Sequence, residues 1–322
     1  MAELFASINK GFLTMKRIII TFAISLVSST VFGLEIPGVI NKDQSVKEVA
    51  SGFKFTEGPA WSPQGYWVFS DLMGNRQYQW TPGTKVRVFN KSSRYSNGNA
   101  FDKNGYLISA RHDRTMVKRD NKGQEKVIAS HFQGKKLNSP NDVTIHSNGA
   151  IYFTDPNFGI IGYGPSKAKE EQPVRGIYRI DQKGSIQLVA SDLKLPNGLA
   201  FSPDESKLYV ADSSDRNIYV YDVTKSSDLQ QKKLFARQKP AKGQNPLADG
   251  IKADHMGNVF SAGPGGIWVF NSKGRKLGII PVDAPHVSNL AFGGKDGRSL
   301  LITATDKVFV IETLTGIRNQ QD

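Results

Sequence analysis

The stretch PNGLAFSPDESKLYVAD, residues 196–212, decides the fold. It opens on a polar Asn-Gly pair, runs into apolar residues, breaks at a Ser-Pro-Asp turn, and closes with a second apolar run ending in Asp212. That is the pattern of strand, tight turn, strand. Five further segments repeat it: TEGPAWSPQGYWVFSD (56–71), SNGNAFDKNGYLISAR (96–111), PNDVTIHSNGAIYFTD (140–155), ADGIKADHMGNVFSAG (248–263) and SNLAFGGKDGRSLLITA (288–304). Each is followed by further strand-like runs, such as GIYRID with SIQLVAS and GIWVF with KLGIIPV. Four short strands per repeat, at a spacing of 39 to 56 residues, predict an all-β, six-bladed β-propeller. The sixth repeat has only three strands of its own. SVKEVAS at 45–51 is expected to supply the fourth and close the ring between the two ends of the chain, removing an open sheet edge. A pair of β-sandwiches is the rival architecture, and the near-regular repeat argues against it.

Composition bounds the rest. The chain has 322 residues, 39% of them hydrophobic and 31 of them glycine, enough to bury a large core. It carries no cysteine, which excludes disulfides, thiol nucleophiles and thiolate-held zinc. The formal charge of +13 is spread along the chain without a basic block or a stacking motif, so nucleic acid is not an expected partner. MKRIIITFAISLVSSTVFG from Met15 has the basic start, short apolar run and small-residue end of a secretory leader. Residues 1–33 are therefore expected to be removed, with Met15 as the start. Residues 34–322 would then form a single propeller domain in a periplasmic or secreted protein that has no membrane association after processing.

In a propeller the residue ahead of each inner strand sits at one mouth of the central channel. The repeat places six there: Glu57, Asn97, Asn141, Asn197, Asp249 and Ser288. Oxygen-bearing side chains converge without a lysine or arginine among them. Any one Asn-Gly or Asp-Gly alone would be an ordinary turn, but Glu57 is a poor turn residue and the convergence suggests a cation. Two carboxylates crowded together repel unless something neutralises them. Oxygen ligands suit Ca²⁺ first; Mg²⁺, Mn²⁺ or Zn²⁺ could replace it.

The segments FTEGPAW, LNSPNDVTIHSNGAIYFTDPNFG, LPNGLAFSPDESKLYVADS, ADGIKADHMGNVFSAGPGGIWVF and NLAFGG resemble the gluconolactonase group of the SMP-30/gluconolactonase/luciferin-regenerating-enzyme family, from about Phe53 to Ala304. The resemblance implies a divalent cation held by Glu57, Asn197 and Asp249, with Asn141 as a fourth ligand or a substrate contact. It also implies lactone hydrolysis with Asp249 as acid and base. In the animal branch an arginine stands where this chain has Ser139, so that branch's specificity does not transfer.

The second strands end at Asp71, Arg111, Asp155, Asp212, Gly263 and Ala304. The three aspartates are expected to support the ligands from behind, to bind a second ion, or merely to begin turns. Arg111 and His112, with Asn97 and Asn141, are expected to contact substrate. His131, His146, His255 and His286 are expected to be solvated or structural. The insertion NFGIIGYGPSKAKEEQPV, 157–174, is expected to cover the channel mouth with Phe158 and Tyr163 as walls, or to hang free as a loop. Three readings follow: a metal-dependent lactonase acting on a small, sugar-derived lactone, an arylester or phosphotriester hydrolase on the same site, and a non-catalytic binding propeller with a structural ion.

Overall fold

Each repeated segment supplies the two inner strands of a four-stranded antiparallel sheet, and the six sheets are the blades of a propeller. The computed structural model describes residues 34–241 and 247–317; the leader expected over 1–33, with its start at Met15, lies outside the described residues. The inner strands are Thr56–Ser62, Ser96–Phe101, Val143–Ile145, Pro196–Phe201, Ile251–Ala253 and Val287–Gly293. In blades one to five the strands follow one another outward in chain order. Blade six is completed by Lys47–Ser51, which pairs antiparallel with Lys307–Glu312. The edge that three strands would leave open is thus covered from the other end of the chain. Hydrogen bonds tie blade one to blade six at the hub, from Thr56 Oγ1 to the Lys307 carbonyl (2.8 Å) and from Ser288 Oγ to the Thr56 carbonyl (2.7 Å).

The core lies between blades rather than at the axis. Among the described residues five apolar clusters each join two neighbours: blades two and three around Phe153, three and four around Tyr152, four and five around Trp268, five and six around Phe260, six and one around Trp67. The remaining seam, between blades one and two, is joined by buried hydrogen bonds. Asn99 Nδ2 donates to the Gly58 carbonyl (2.8 Å) and to Ser70 Oγ (2.9 Å), and Gln77 Nε2 donates to Asn99 Oδ1 (2.8 Å) and Ser109 Oγ (3.2 Å).

At the hub the inner strands are bulged and crowded. In blades two and four the residues out of register are Asn97-Gly98 and Asn197-Gly198, each pair facing one residue of the partner strand. A bulge re-aims side chains, and here it turns both asparagines toward the channel. The glycine that follows lets the next blade approach. A Cβ on Gly198 would lie 2.4 Å from the Asp249 carbonyl oxygen, and one on Gly98 would lie 2.7 Å from that of Asn141. Backbone bonds from Gly98 N to Asn141 O and from Gly250 N to Ser288 O, both 2.8 Å, link adjacent blades.

Gly198→Ala would force two blades apart at the axis. We expect a loss of about 1–3 kcal/mol, typical of overpacking, seen as a lower midpoint in urea at unchanged slope. A variant that unfolds like the wild type would show that the hub is not close-packed at this point.

Candidate active site

Glu57, Asn97, Asn141, Asn197 and Asp249 line one cavity of about 130 Å³ at the mouth of the channel. Five blades contribute one residue each, and all five are nearly fully buried. The sixth expected member is absent from the lining. Ser288 is held by the Thr56 carbonyl and by Thr303, since a hydroxyl on so short a side chain finds acceptors in the adjoining strands before it reaches the channel. Its place is taken by His286, two residues earlier, whose Nε2 lies 2.8 Å from Asp249 Oδ2 and whose ring stacks on Phe55 (5.7 Å, 21°). The expectation that His286 has no part in the site is therefore corrected. The repeat did hold a clue: Phe55, Leu247 and His286 each precede a ring position by two, and all three line the cavity.

The electrostatics of the ring are unfavourable as they stand. Burial pushes the Glu57 carboxyl well above the ordinary range, and the charges of Asp249 and Asp142 push it further. Burial also raises Asp249, against the lowering effect of His286. The amide nitrogens of Asn97 and Asn197 are engaged by neighbouring side chains. Asn197 Nδ2 donates to Ser213 Oγ (3.0 Å) and Asn97 Nδ2 to His112 Nε2 (3.1 Å). This leaves Asn97 Oδ1, Asn197 Oδ1 and Asp249 Oδ1 buried with no hydrogen-bond donor. Unpartnered buried oxygens beside carboxylates that resist ionisation fit a hard divalent cation, which would satisfy both deficits together.

His112 is fixed as a neutral ring. Its Nδ1 donates to the Tyr163 carbonyl (2.8 Å), so Nε2 is the acceptor for Asn97, and burial lowers its pKa to about 4. Arg111, expected beside it at the substrate, is not there. Its side chain is 2% exposed and its guanidinium pairs with Glu125 (2.6 Å), away from the cavity. The next position in the chain faces inward instead, because neighbouring residues leaving a strand point to opposite sides.

The three aspartates share one structural task. Asp71 Oδ1 accepts the backbone N–H groups of Lys54 and Phe55 (3.0 Å each). Asp155 Oδ2 accepts that of Asn138 (2.7 Å), and Asp212 accepts those of Lys194 and Leu195 (2.8 and 3.1 Å). Each thus holds the segment that leads into Glu57, Asn141 or Asn197. One oxygen of Asp71 and of Asp155, and both of Asp212, face backbone donors, while Asp155 Oδ1 is buried with no hydrogen-bond partner. His131, His146 and His255 do not line the cavity; their neighbours are Ser130, Glu205 and the Gly316 carbonyl.

The insertion stands as a wall. Asn157 Nδ2 bonds Glu170 (2.8 Å), Ala168 N bonds the Ile160 carbonyl (3.0 Å), and Phe158 and Tyr163 line the cavity.

Burial raises the Asp155 pKa to about 7, opposed by the backbone N–H groups of Asn138 and Ser139. An aspartate raised in the folded state binds more protons there than when unfolded, so stability is full below about pH 4 and is lost as pH rises through about 7. Asp155→Asn keeps an acceptor for Asn138 without the charge. Thermal unfolding between pH 5 and 8 should show a flatter pH dependence in this variant, with a higher melting temperature at pH 8. An unchanged slope would mean that Asp155 is ionised throughout.

Residues 55–306 match the family model described as the SMP-30/Gluconolactonase/LRE-like region. A gluconolactonase of Zymomonas mobilis is 33% identical over 89% of this chain and 86% of its own. A pentonolactonase of Haloferax volcanii is 26% identical over 79% and 83%. Among solved structures, a gluconolactonase of Xanthomonas campestris superposes with a TM-score of 0.78 at 32% identity, over 84% of this chain and 90% of that one. Sequence, blade order and cavity together make this chain a member of the SMP-30/gluconolactonase/LRE-like family.

Proposed function

We infer that the protein is a lactonase, a hydrolase of cyclic carboxylic esters, and that its activity depends on a divalent cation. The observation that carries the reading is the set of buried, unpartnered oxygens converging from separate blades on one cavity, in a chain whose relatives over most of its length are a gluconolactonase and a pentonolactonase. Glu57, Asn141, Asn197 and Asp249 would hold the ion, with Ca²⁺ matching the oxygen donors best. A bound divalent cation supplies Lewis acidity toward a carbonyl oxygen and makes water more acidic.

The protein's own groups handle the proton. Asp249 keeps Oδ2 on His286, and its Oδ1 is buried without a hydrogen-bond partner in a residue that lines the cavity. A raised carboxyl pKa suits it to accept a proton from the attacking water and return it to the ring oxygen as the acyl C–O bond breaks, giving an open-chain hydroxy acid. Asn97, its amide fixed by His112, faces the substrate's polar side. The basic start, short apolar run and small-residue end of the sequence from Met15 to Gly33 support action outside the cytoplasm.

Glucono-1,5-lactone, followed by proton release in weak buffer, is the reference assay. We expect turnover that a chelator abolishes and Ca²⁺ restores, and a fall in kcat/KM of about 100-fold or more for Asp249→Asn and for Glu57→Gln. Activity indifferent to the chelator, or intact in both variants, would remove the site assignment. A folded wild type that opens no lactone with any of the four cations would leave a binding propeller as the better reading.

A further inference from the structure

The cavity has two kinds of lining: the polar ring, and Phe55, Leu72, Phe158 and Leu247, side chains with no hydrogen-bonding atom. Tyr163 extends this apolar lining, its ring 6.3 Å from that of Phe55 and 6.4 Å from that of Phe158.

The 157–174 segment that carries Phe158 and Tyr163 is fastened to the hub. Ser139 Oγ donates to the Pro156 carbonyl (2.6 Å) and accepts from Gly159 N (2.9 Å), and His112 holds the Tyr163 carbonyl. A Cβ on Gly159 would lie 2.7 Å from that of Ser139, and one on Gly164 would lie 2.9 Å from the His112 carbonyl oxygen. The backbone therefore packs directly on blades two and three. The apolar lining is built in advance of any ligand.

A lactone whose carbonyl is held by the polar ring has its remaining ring carbons to place against the other lining side chains. Hydroxyl groups set against Phe55, Leu72, Phe158 and Leu247 would leave water for phenyl and isobutyl groups that offer no hydrogen bond, which is costly. A hydrocarbon substituent would instead bury its surface against aromatic rings. We propose that Phe158 and Tyr163, seated by Ser139 and His112, make the site selective for lactones with an alkyl or aryl substituent over polyhydroxylated sugar lactones. The proposal rests on the lactonase reading, and Phe158 and Tyr163 are its specificity-determining residues.

The test compares kcat/KM for δ-nonalactone, dihydrocoumarin and glucono-1,5-lactone on the full-length, Ca²⁺-loaded protein. Both apolar lactones should exceed the sugar lactone by about tenfold or more, the order that a hydrophobic contact of this size gives. Phe158→Ala should lower that ratio about tenfold, chiefly through KM for the apolar pair, and Phe158→Leu should restore most of it. A sugar lactone turned over as well as or better than the apolar pair overturns the proposal and leaves the lactonase reading standing. So does a ratio that Phe158→Ala does not move. Failure to open any of the three removes both.

Discussion

Everything in this molecule depends on how closely six inner strands can approach one axis. The approach is closer than side chains allow. At Gly58 a Cβ would lie 2.0 Å from the Asn97 carbonyl oxygen, and at Gly250 one would lie 2.2 Å from Asn289 Oδ1. Glycine at these points lets the preceding residue of each blade meet those of the others within one small cavity. That crowding brings the buried carboxylates of Glu57 and Asp249 under each other's influence, with Asp142 behind them. Such charge in a site of low dielectric is costly unless a proton or a cation offsets it. The fold thus creates an electrostatic demand, and the orphaned oxygens of Asn97, Asn197 and Asp249 show where it is directed.

Behind the ring, the same device recurs three times. An aspartate at the end of the second strand grips the backbone ahead of the inner strand in blades one, three and four. These blades carry Glu57, Asn141 and Asn197. Blade five, which carries Asp249, has Gly263 at the matching position, and Asp249 is steadied instead by His286 from blade six. Two kinds of support therefore serve one ring, one acting through the backbone and the other on the carboxylate itself.

The propeller and the ring were legible because both follow from periodicity. A repeat fixes which residue of each blade faces the axis, and five of the six positions read this way line the cavity. Ser288 failed because periodicity reports position and not reach: a hydroxymethyl group satisfied by the Thr56 carbonyl has no cause to enter the channel. Arg111 failed because a strand-end residue and its successor point opposite ways, and the inward one is His112. His286 carries no signal of its own in the sequence; the offset it shares with Phe55 and Leu247, two residues ahead of a ring position, is what marks it as a rim residue. The polar seam between blades one and two was also beyond periodicity, since Asn99 and Gln77 look like surface residues until the strands that enclose them are placed.

The central claim is that one divalent cation is held by oxygens brought from separate blades. Native mass spectrometry with calorimetric Ca²⁺ titration of the metal-stripped protein tests it most directly. One cation per chain is predicted for the wild type, with binding lost or weakened at least 100-fold in both Glu57→Gln and Asp249→Asn while the fold persists. No bound cation in the wild type, or the same affinity in both variants, would contradict the account.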